Sequence, residues 1–262
     1  MVTAITQAAT PVRLVGMEWL NAQTMSLRLQ PEQPYHFRAG QYLNLPLPSS
    51  QKTMPFSIAS KPHQGEYLQN DDLNTLEIQI GGVLSGSELA SDIVEFRSQW
   101  LNQQPFYLGQ AAGEAYFRDT ESSVTVIAGG SGFSYAKSIV LQALTLPTAV
   151  DITLYWGAKS VADLYEHTAM VALAKQHPQF HYVPVVEDLA GSREALTGDP
   201  IQIHQGKLLD IFFANHPLST EQDIYICGRY QMVQTAYQNI LDTSPEQAKR
   251  VYSDALPPVH KR

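Results

Sequence analysis

The sequence predicts two domains: an N-terminal antiparallel β-barrel with a capping helix, residues 1–118, and a C-terminal α/β domain on a parallel sheet, residues 119–262. Two observations carry this reading. Apolar and polar residues alternate through the first half. After Arg118-Asp119-Thr120-Glu121, short continuous apolar runs instead alternate with segments of helical periodicity. A length of 262 residues also exceeds one ordinary domain and accommodates two.

In the first half, Met25, Leu27 and Leu29, then Leu43, Leu45 and Leu47, then Leu76, Ile78 and Ile80 keep a period of two. That spacing buries one face of a strand. Turn residues such as Arg38-Ala39-Gly40 and Gly81-Gly82 separate the runs. Pro46, which has no N–H for a ladder, predicts an edge strand. Leu89, Ile93, Phe96 and Trp100 recur at three and four residues, which predicts one helix over residues 88–101. In the second half, residues 124–128, 152–156, 181–186 and 223–227 read as strands covered on both faces. Residues 133–146, 164–176 and 232–241 read as the helices that follow them, and such alternation makes βαβ units.

Composition excludes several classes of function. Seventeen Lys+Arg against twenty-five Asp+Glu give a net charge of −8, so a basic surface for nucleic acid is not expected. Cys227 is the single cysteine, which rules out an internal disulfide, a thiolate zinc site and an iron–sulfur cluster. His177 and His181 are four apart, but Pro178 breaks the helix that would align them on a metal. No metal site is expected. No apolar run approaches the about eighteen residues of a membrane span. Residues 1–7 lack the basic and apolar stretches of a signal peptide, so a cytoplasmic protein with no membrane partner is expected.

Four places can carry chemistry. Ala128-Gly129-Gly130-Ser131-Gly132-Phe133 lies between a strand and a helix. Glycines admit close backbone approach, and free N–H groups at a helix start favour a phosphate. A tight turn with no ligand explains the glycines equally well. The spacing fits neither a P-loop nor a nucleophile elbow, because Phe133 stands where the last glycine of the elbow belongs. Second, in Met54-Pro55-Phe56-Ser57-Ile58-Ala59-Ser60, Ser57 offers a hydroxyl beside a Pro-stiffened strand; an ordinary strand entrance with satisfied hydroxyls is the simpler account. Third, Cys227-Gly228-Arg229-Tyr230 follows a parallel strand, where open sheets bind ligands; Cys227 is there a contact residue or a small buried hydrophobe. Fourth, a short strand near Tyr252-Ser253-Asp254 would bring Asp254 towards the site, against the alternative of a frayed tail.

Taken together, these residues resemble the bacterial NAD(P)H:flavin oxidoreductases, the flavin reductases that include the luciferase-associated type, within the ferredoxin–NADP reductase superfamily. The resemblance runs in order through Phe37-Arg38-Ala39-Gly40-Gln41-Tyr42-Leu43, Pro55-Phe56-Ser57-Ile58-Ala59-Ser60 and Gly113-Glu114-Ala115. It continues through Ile127-Ala128-Gly129-Gly130-Ser131-Gly132-Phe133-Ser134-Tyr135-Ala136, Tyr155-Trp156-Gly157, Val183-Pro184-Val185-Val186-Glu187 and Ile224-Tyr225-Ile226-Cys227-Gly228-Arg229. It implies a barrel that holds the isoalloxazine and a nucleotide-binding α/β domain that holds NADH or NADPH. Pro55, Phe56, Ser57, Ile58 and Ala59 would then face the flavin, with Ser57 near N5. Gly130, Ser131 and Gly132 would cradle backbone atoms of coenzyme or flavin, with Phe133 as a further cofactor contact. Cys227 and Gly228 would lie against the nicotinamide, and Arg229 and Tyr230 towards its phosphate and adenosine. Asp254 would help to orient the reacting rings.

The implied reaction passes hydride from nicotinamide C4 to flavin N5, with riboflavin or FMN as substrate and FAD admissible. The resemblance implies a diffusible flavin as partner, with a monooxygenase, luciferase or ferric complexes as acceptors of the reduced form. One departure stands out: the family has Arg before Pro-Phe/Tyr-Ser, and here it is Met54. Without that cation, and with Lys52 lacking its fork, loose binding and little preference for the monophosphate are expected. The alternatives are a reductase with bound flavin serving a protein partner, and a non-catalytic flavin- or nucleotide-binding module. Lys159, after the second parallel strand, suits a 2′-phosphate or is a solvated charge, so the choice of coenzyme stays open.

Overall fold

The structure, a computed structural model, describes residues 9–63, 74–147, 150–189 and 201–257; residues 1–7, read above for a leader, lie outside the described residues. The chain divides into two compact units, Met1–Gly113 and Glu114–Arg262.

The first unit is an antiparallel barrel. Its strands are β1 (Thr10–Asn21), β2 (Thr24–Pro31), β3 (Tyr42–Pro46), β4 (Thr53–Ser57), β5 (Leu76–Ile80) and β6 (Phe106–Leu108). One sheet runs β5-β2-β1-β6, and β3 pairs with β4. Two bridges close the circle. Ile58 pairs with Ile78, supported by Ala59 N–H donating to the Glu77 carbonyl at 2.7 Å. Tyr42 and Ala112 exchange two backbone hydrogen bonds of 2.8–2.9 Å. Beyond the Tyr42 bridge β3 pairs with β4 alone, so it is the edge strand that Pro46 predicts, and Pro46 is its last residue. The alternating residues Leu27, Leu29, Leu43, Leu45, Leu76, Ile78 and Ile80 form the core. Helix α1 (Glu88–Leu101) contributes Ile93 and Phe96 to it. Ser87 caps this helix by accepting from Ala90 N–H. Buried Asp92 on α1 accepts from the N–H groups of Ser49 and Ser50 and from the Ser50 hydroxyl, fixing the turn before β4.

The second unit is doubly wound. Its all-parallel sheet has the order β10-β9-β8-β7-β11-β12. These strands are β7 (Ser123–Gly129), β8 (Ile152–Ser160), β9 (Phe180–Asp188), β10 (His204–Gln205), β11 (Gln222–Cys227) and β12 (Val251–Tyr252). The helices are α2 (Phe133–Ala143), α3 (His167–Gln176), α4 (Leu208–Asn215), α5 (Tyr230–Thr243) and α6 (Pro245–Ala248). Neighbouring residues of β8 show that both faces are covered. Tyr155 meets Phe212 of α4 edge-on at 5.2 Å, while Trp156 stacks on Phe133 of α2 at 3.8 Å. Such strands have no solvated face, which is why their central residues are mostly apolar. No helix among the described residues is long and apolar enough to cross a membrane.

Candidate functional site

In the second unit the chain winds from β7 outward through β8, β9 and β10, then returns to place β11 on the other side of β7. Ligands of open parallel sheets bind at the carboxyl edge of such a reversal. Here that edge consists of the turn after β7, Gly130–Gly132, and the turn after β11, which leads into α5. The turns touch through backbone. A Cβ at Gly132 would lie 2.6 Å from the Cys227 carbonyl oxygen, so only glycine lets them meet. Gly130 differs: it is exposed, has φ of +56°, and a Cβ there would meet open space. Of the glycines in this turn, Gly130 is therefore the one that presents free surface. Ser131 is also exposed, whereas Gly132 is buried.

Neither α2 nor α5 has a side-chain cap or an acidic residue in its first turn. Their starts keep the positive end of the helix dipole available to an anion. Arg229 and Tyr230 stand exposed at the start of α5, and Lys159 at the end of β8. Cys227 is half-buried, and burial together with the Asp254 carboxylate pushes its thiol up to about 12. The thiol thus stays protonated at neutral pH, which suits contact and not nucleophilic attack. Phe133 is fully buried beneath Trp156, whose indole N–H donates to the Gly130 carbonyl at 3.1 Å. Its ring braces the turn and cannot reach a ligand.

Asp254 follows β12, which pairs with β11, so the tail does not fray here. Its Oδ1 accepts from Glu114 N–H at 2.7 Å and from Ala115 N–H at 3.0 Å. Tyr135, which the resemblance includes without a role, donates its hydroxyl to the Ala115 carbonyl at 2.6 Å. Nothing in its residue type or spacing marks it, because its partner is a main-chain atom distant in sequence.

In the first unit, β4 alternates. Met54 and Phe56 pack against the barrel core, whereas Thr53 and Pro55 are exposed. Ser57 is half-buried, and its hydroxyl has no hydrogen-bond partner among the described residues. Ile58 and Ala59 are fully buried, and their N–H groups donate to the Gln41 and Glu77 carbonyls. Their side chains serve the barrel. Lys52, the cation nearest Met54 in sequence, pairs with Glu88.

Residues 126–238 match the family model for the oxidoreductase NAD-binding domain. The chain is 33% identical over 241 residues to a probable flavin reductase of Vibrio harveyi, covering 92% of this chain and 96% of that protein. It is 32% identical over 248 residues to an NAD(P)H-flavin reductase of Aliivibrio fischeri, covering 93% and 97%.

The chain belongs to the flavin reductase family.

Solved structures of other reductases share the fold of this flavin reductase family member. The Amycolatopsis cytochrome P450 reductase GcoB superposes with a TM-score of 0.75 at 20% identity, covering 98% of this chain and 72% of that one. A ferredoxin NADP+ reductase from Neisseria gonorrhoeae, solved with bound FAD and NADP, gives 0.67 at 19% identity, covering 90% and 92%. Met54, where the resemblance leads one to expect an arginine, seats an apolar side chain on the barrel core.

Proposed function

We propose that this flavin reductase family member oxidises NADH or NADPH and reduces a flavin that binds loosely, as a diffusible substrate. The carrying observation is 32–33% identity over 92–93% of the chain to proteins named flavin reductase. The residues present fit both reactants. The open Gly130 and the uncapped starts of α2 and α5 suit a dinucleotide's phosphates, with Arg229 and Tyr230 for its phosphate and adenosine. Gly228 has no side chain and Cys227 a protonated one, which suits a flat ring. Ser57 has a free hydroxyl to give to a flavin nitrogen.

The reactants supply the bond chemistry, hydride leaving nicotinamide C4 for flavin N5. The protein's contribution is to bind, align and exclude water, because proximity and orientation do most of the work in such transfers. On this reading Pro55, Phe56 and Ser57 form the flavin side, with Ser57 orienting the ring at N5, and Ile58 and Ala59 support them. Gly130, Ser131 and Gly132 form the coenzyme side with Cys227 and Gly228.

Loose binding follows from the cations. Met54 lies against apolar neighbours and Lys52 is held by Glu88, so the family's phosphate contact is missing. A charge-assisted hydrogen bond is worth about 1.5–3 kcal/mol, and without it FMN and riboflavin should differ by less than about tenfold. A cytoplasmic setting, with a monooxygenase, a luciferase or ferric complexes as acceptors of reduced flavin, completes the proposal. Steady-state oxidation of each coenzyme, alone and with riboflavin, FMN or FAD, tests it. Turnover only when flavin is added is expected; a yellow protein that turns over without added flavin would refute the diffusible substrate.

A further inference from the structure

We propose that Tyr135 and Asp254 are positioning residues that grip Ala115 from two sides and so hold the nicotinamide-side turn, Cys227-Gly228, in register for hydride transfer. The inference rests on the flavin reductase reading above.

Residues 114–118 belong to no strand or helix, and side chains take up several of their backbone groups. Asp254 Oδ1 accepts from Glu114 and Ala115 N–H. Tyr135 takes the Ala115 carbonyl. Arg118 donates to the carbonyls of Tyr116 at 2.8 Å and Glu114 at 3.0 Å, and its own N–H donates to the Tyr225 hydroxyl at 3.1 Å. Its guanidinium also lies over the rings of Tyr116 and Tyr252, 4.6 and 4.3 Å from their centres.

The elements supplying these groups frame the candidate site. Tyr135 is in the first turn of α2, directly after the glycine turn. Asp254 follows β12, the partner of β11, whose last residue is Cys227. Tyr225 is itself in β11. Ala115 and Tyr135 are buried, so a lost bond leaves an unsatisfied peptide group out of reach of water. Burial, with the Asp254 charge as a smaller contribution, raises both the Tyr135 hydroxyl and the Cys227 thiol above their ordinary values. The grip requires from Asp254 only an acceptor oxygen. It does not require a charge or a proton, and this separates positioning from direct action on the reactants.

Three variants test the proposal: Asp254→Ala, Asp254→Asn and Tyr135→Phe. Amide exchange of residues 114–118 is followed by mass spectrometry, alongside kcat, coenzyme KM and the primary isotope effect with 4-deuterated coenzyme. Asp254→Ala and Tyr135→Phe are expected to speed exchange at Glu114 and Ala115 and to lower kcat about three- to tenfold. Coenzyme KM should stay within about twofold, since the phosphate and adenosine contacts lie elsewhere on the edge. The isotope effect should rise as hydride transfer becomes more limiting. Asp254→Asn, which keeps Oδ1, should rescue exchange protection and most of kcat.

Asparagine as impaired as alanine in kcat but with protection intact would assign the carboxylate a direct catalytic part and overturn the proposal. Unchanged exchange in Asp254→Ala and Tyr135→Phe removes the grip. A lowered kcat with an unchanged isotope effect means only that less enzyme is folded, and also overturns it. Wild-type protein that oxidises neither coenzyme with any flavin defeats the underlying reading and the positioning role with it; the exchange data then judge the grip alone.

Discussion

Ser57 ends β4 half-buried, with a hydroxyl unused by the described residues. A neutral hydrogen bond to the reacting ring contributes about 0.5–1.5 kcal/mol, so Ser57→Ala should lower kcat/KM for flavin up to about tenfold, measured at saturating coenzyme. An unchanged value would take Ser57 out of the site. Three residues earlier, Met54 rests its chain on the barrel core. An arginine there can keep its stem on the same surface and send its guanidinium to water. Met54→Arg should therefore raise the FMN-to-riboflavin ratio of kcat/KM by about tenfold or more. Comparing the two flavins with the same enzyme checks this, and an unchanged ratio would show that position 54 does not reach the phosphate. Both positions rest on the family resemblance and not on residue types alone, because a strand serine reads as an ordinary satisfied hydroxyl and a missing cation is visible only against a family pattern. Phe133 was not readable that way: whether a ring after a glycine turn faces ligand or core depends on Trp156, 23 residues on by number and adjacent only in the folded sheet.

At the level of elements, the two turns of the second unit make opposite demands on their glycines. Gly132→Ala would press a methyl group onto the Cys227 carbonyl, and one turn must move. Such overpacking costs about 1–3 kcal/mol, and coenzyme KM should rise with it. Gly130→Ala meets no atoms and carries only the strain of a left-handed residue, about 1–2 kcal/mol. Thermal melts of both variants with coenzyme titrations separate the cases: a Gly132→Ala protein with wild-type melting and KM would contradict the close approach. The strands and helices with clean periodicity were legible, α1 to the residue and β7 to β9 and β11 within a few. β1 was not, because bulges between Leu14 and Gly16 and between Trp19 and Asn21 shift its alternation. α4, Leu-Leu-Asp-Ile-Phe-Phe-Ala-Asn, is too uniformly apolar to show a helical period.

For the whole molecule, the change of rhythm after Arg118 marks where the parallel sheet starts. The second unit begins earlier, at Glu114, because side chains and not strand pairing tie residues 114–118 to it, and such bonds leave no periodic trace. Stability should also depend on pH through His216. Its ring is stacked on Phe212 and packed against Tyr155, with Nε2 3.2 Å from the Thr125 hydroxyl oxygen. Burial holds its pKa below the ordinary 6.5, despite the opposing hydrogen bond with Gln222. The unfolded chain therefore takes up the proton first as pH falls, and stability is lost below about 6.5. Urea midpoints between pH 8 and 5 should fall on the acid side, by less in His216→Gln; equal slopes in both proteins would exclude His216 as the cause.

The return of the chain to β7 has a consequence for biosynthesis. Strand β8 follows β7 closely, but the other edge of β7 waits for β11, whose last residue is Cys227, about a hundred positions after Gly129. At about 5–20 residues per second, a ribosome leaves that edge of unpaired N–H and C=O groups uncovered for roughly 5–20 s. During this interval the nascent chain displays an unpaired hydrophobic strand, a ready template for aggregation. Polypeptides released before Gln222 should consequently precipitate or stay bound to chaperones, while those extending past Tyr252 stay dispersed.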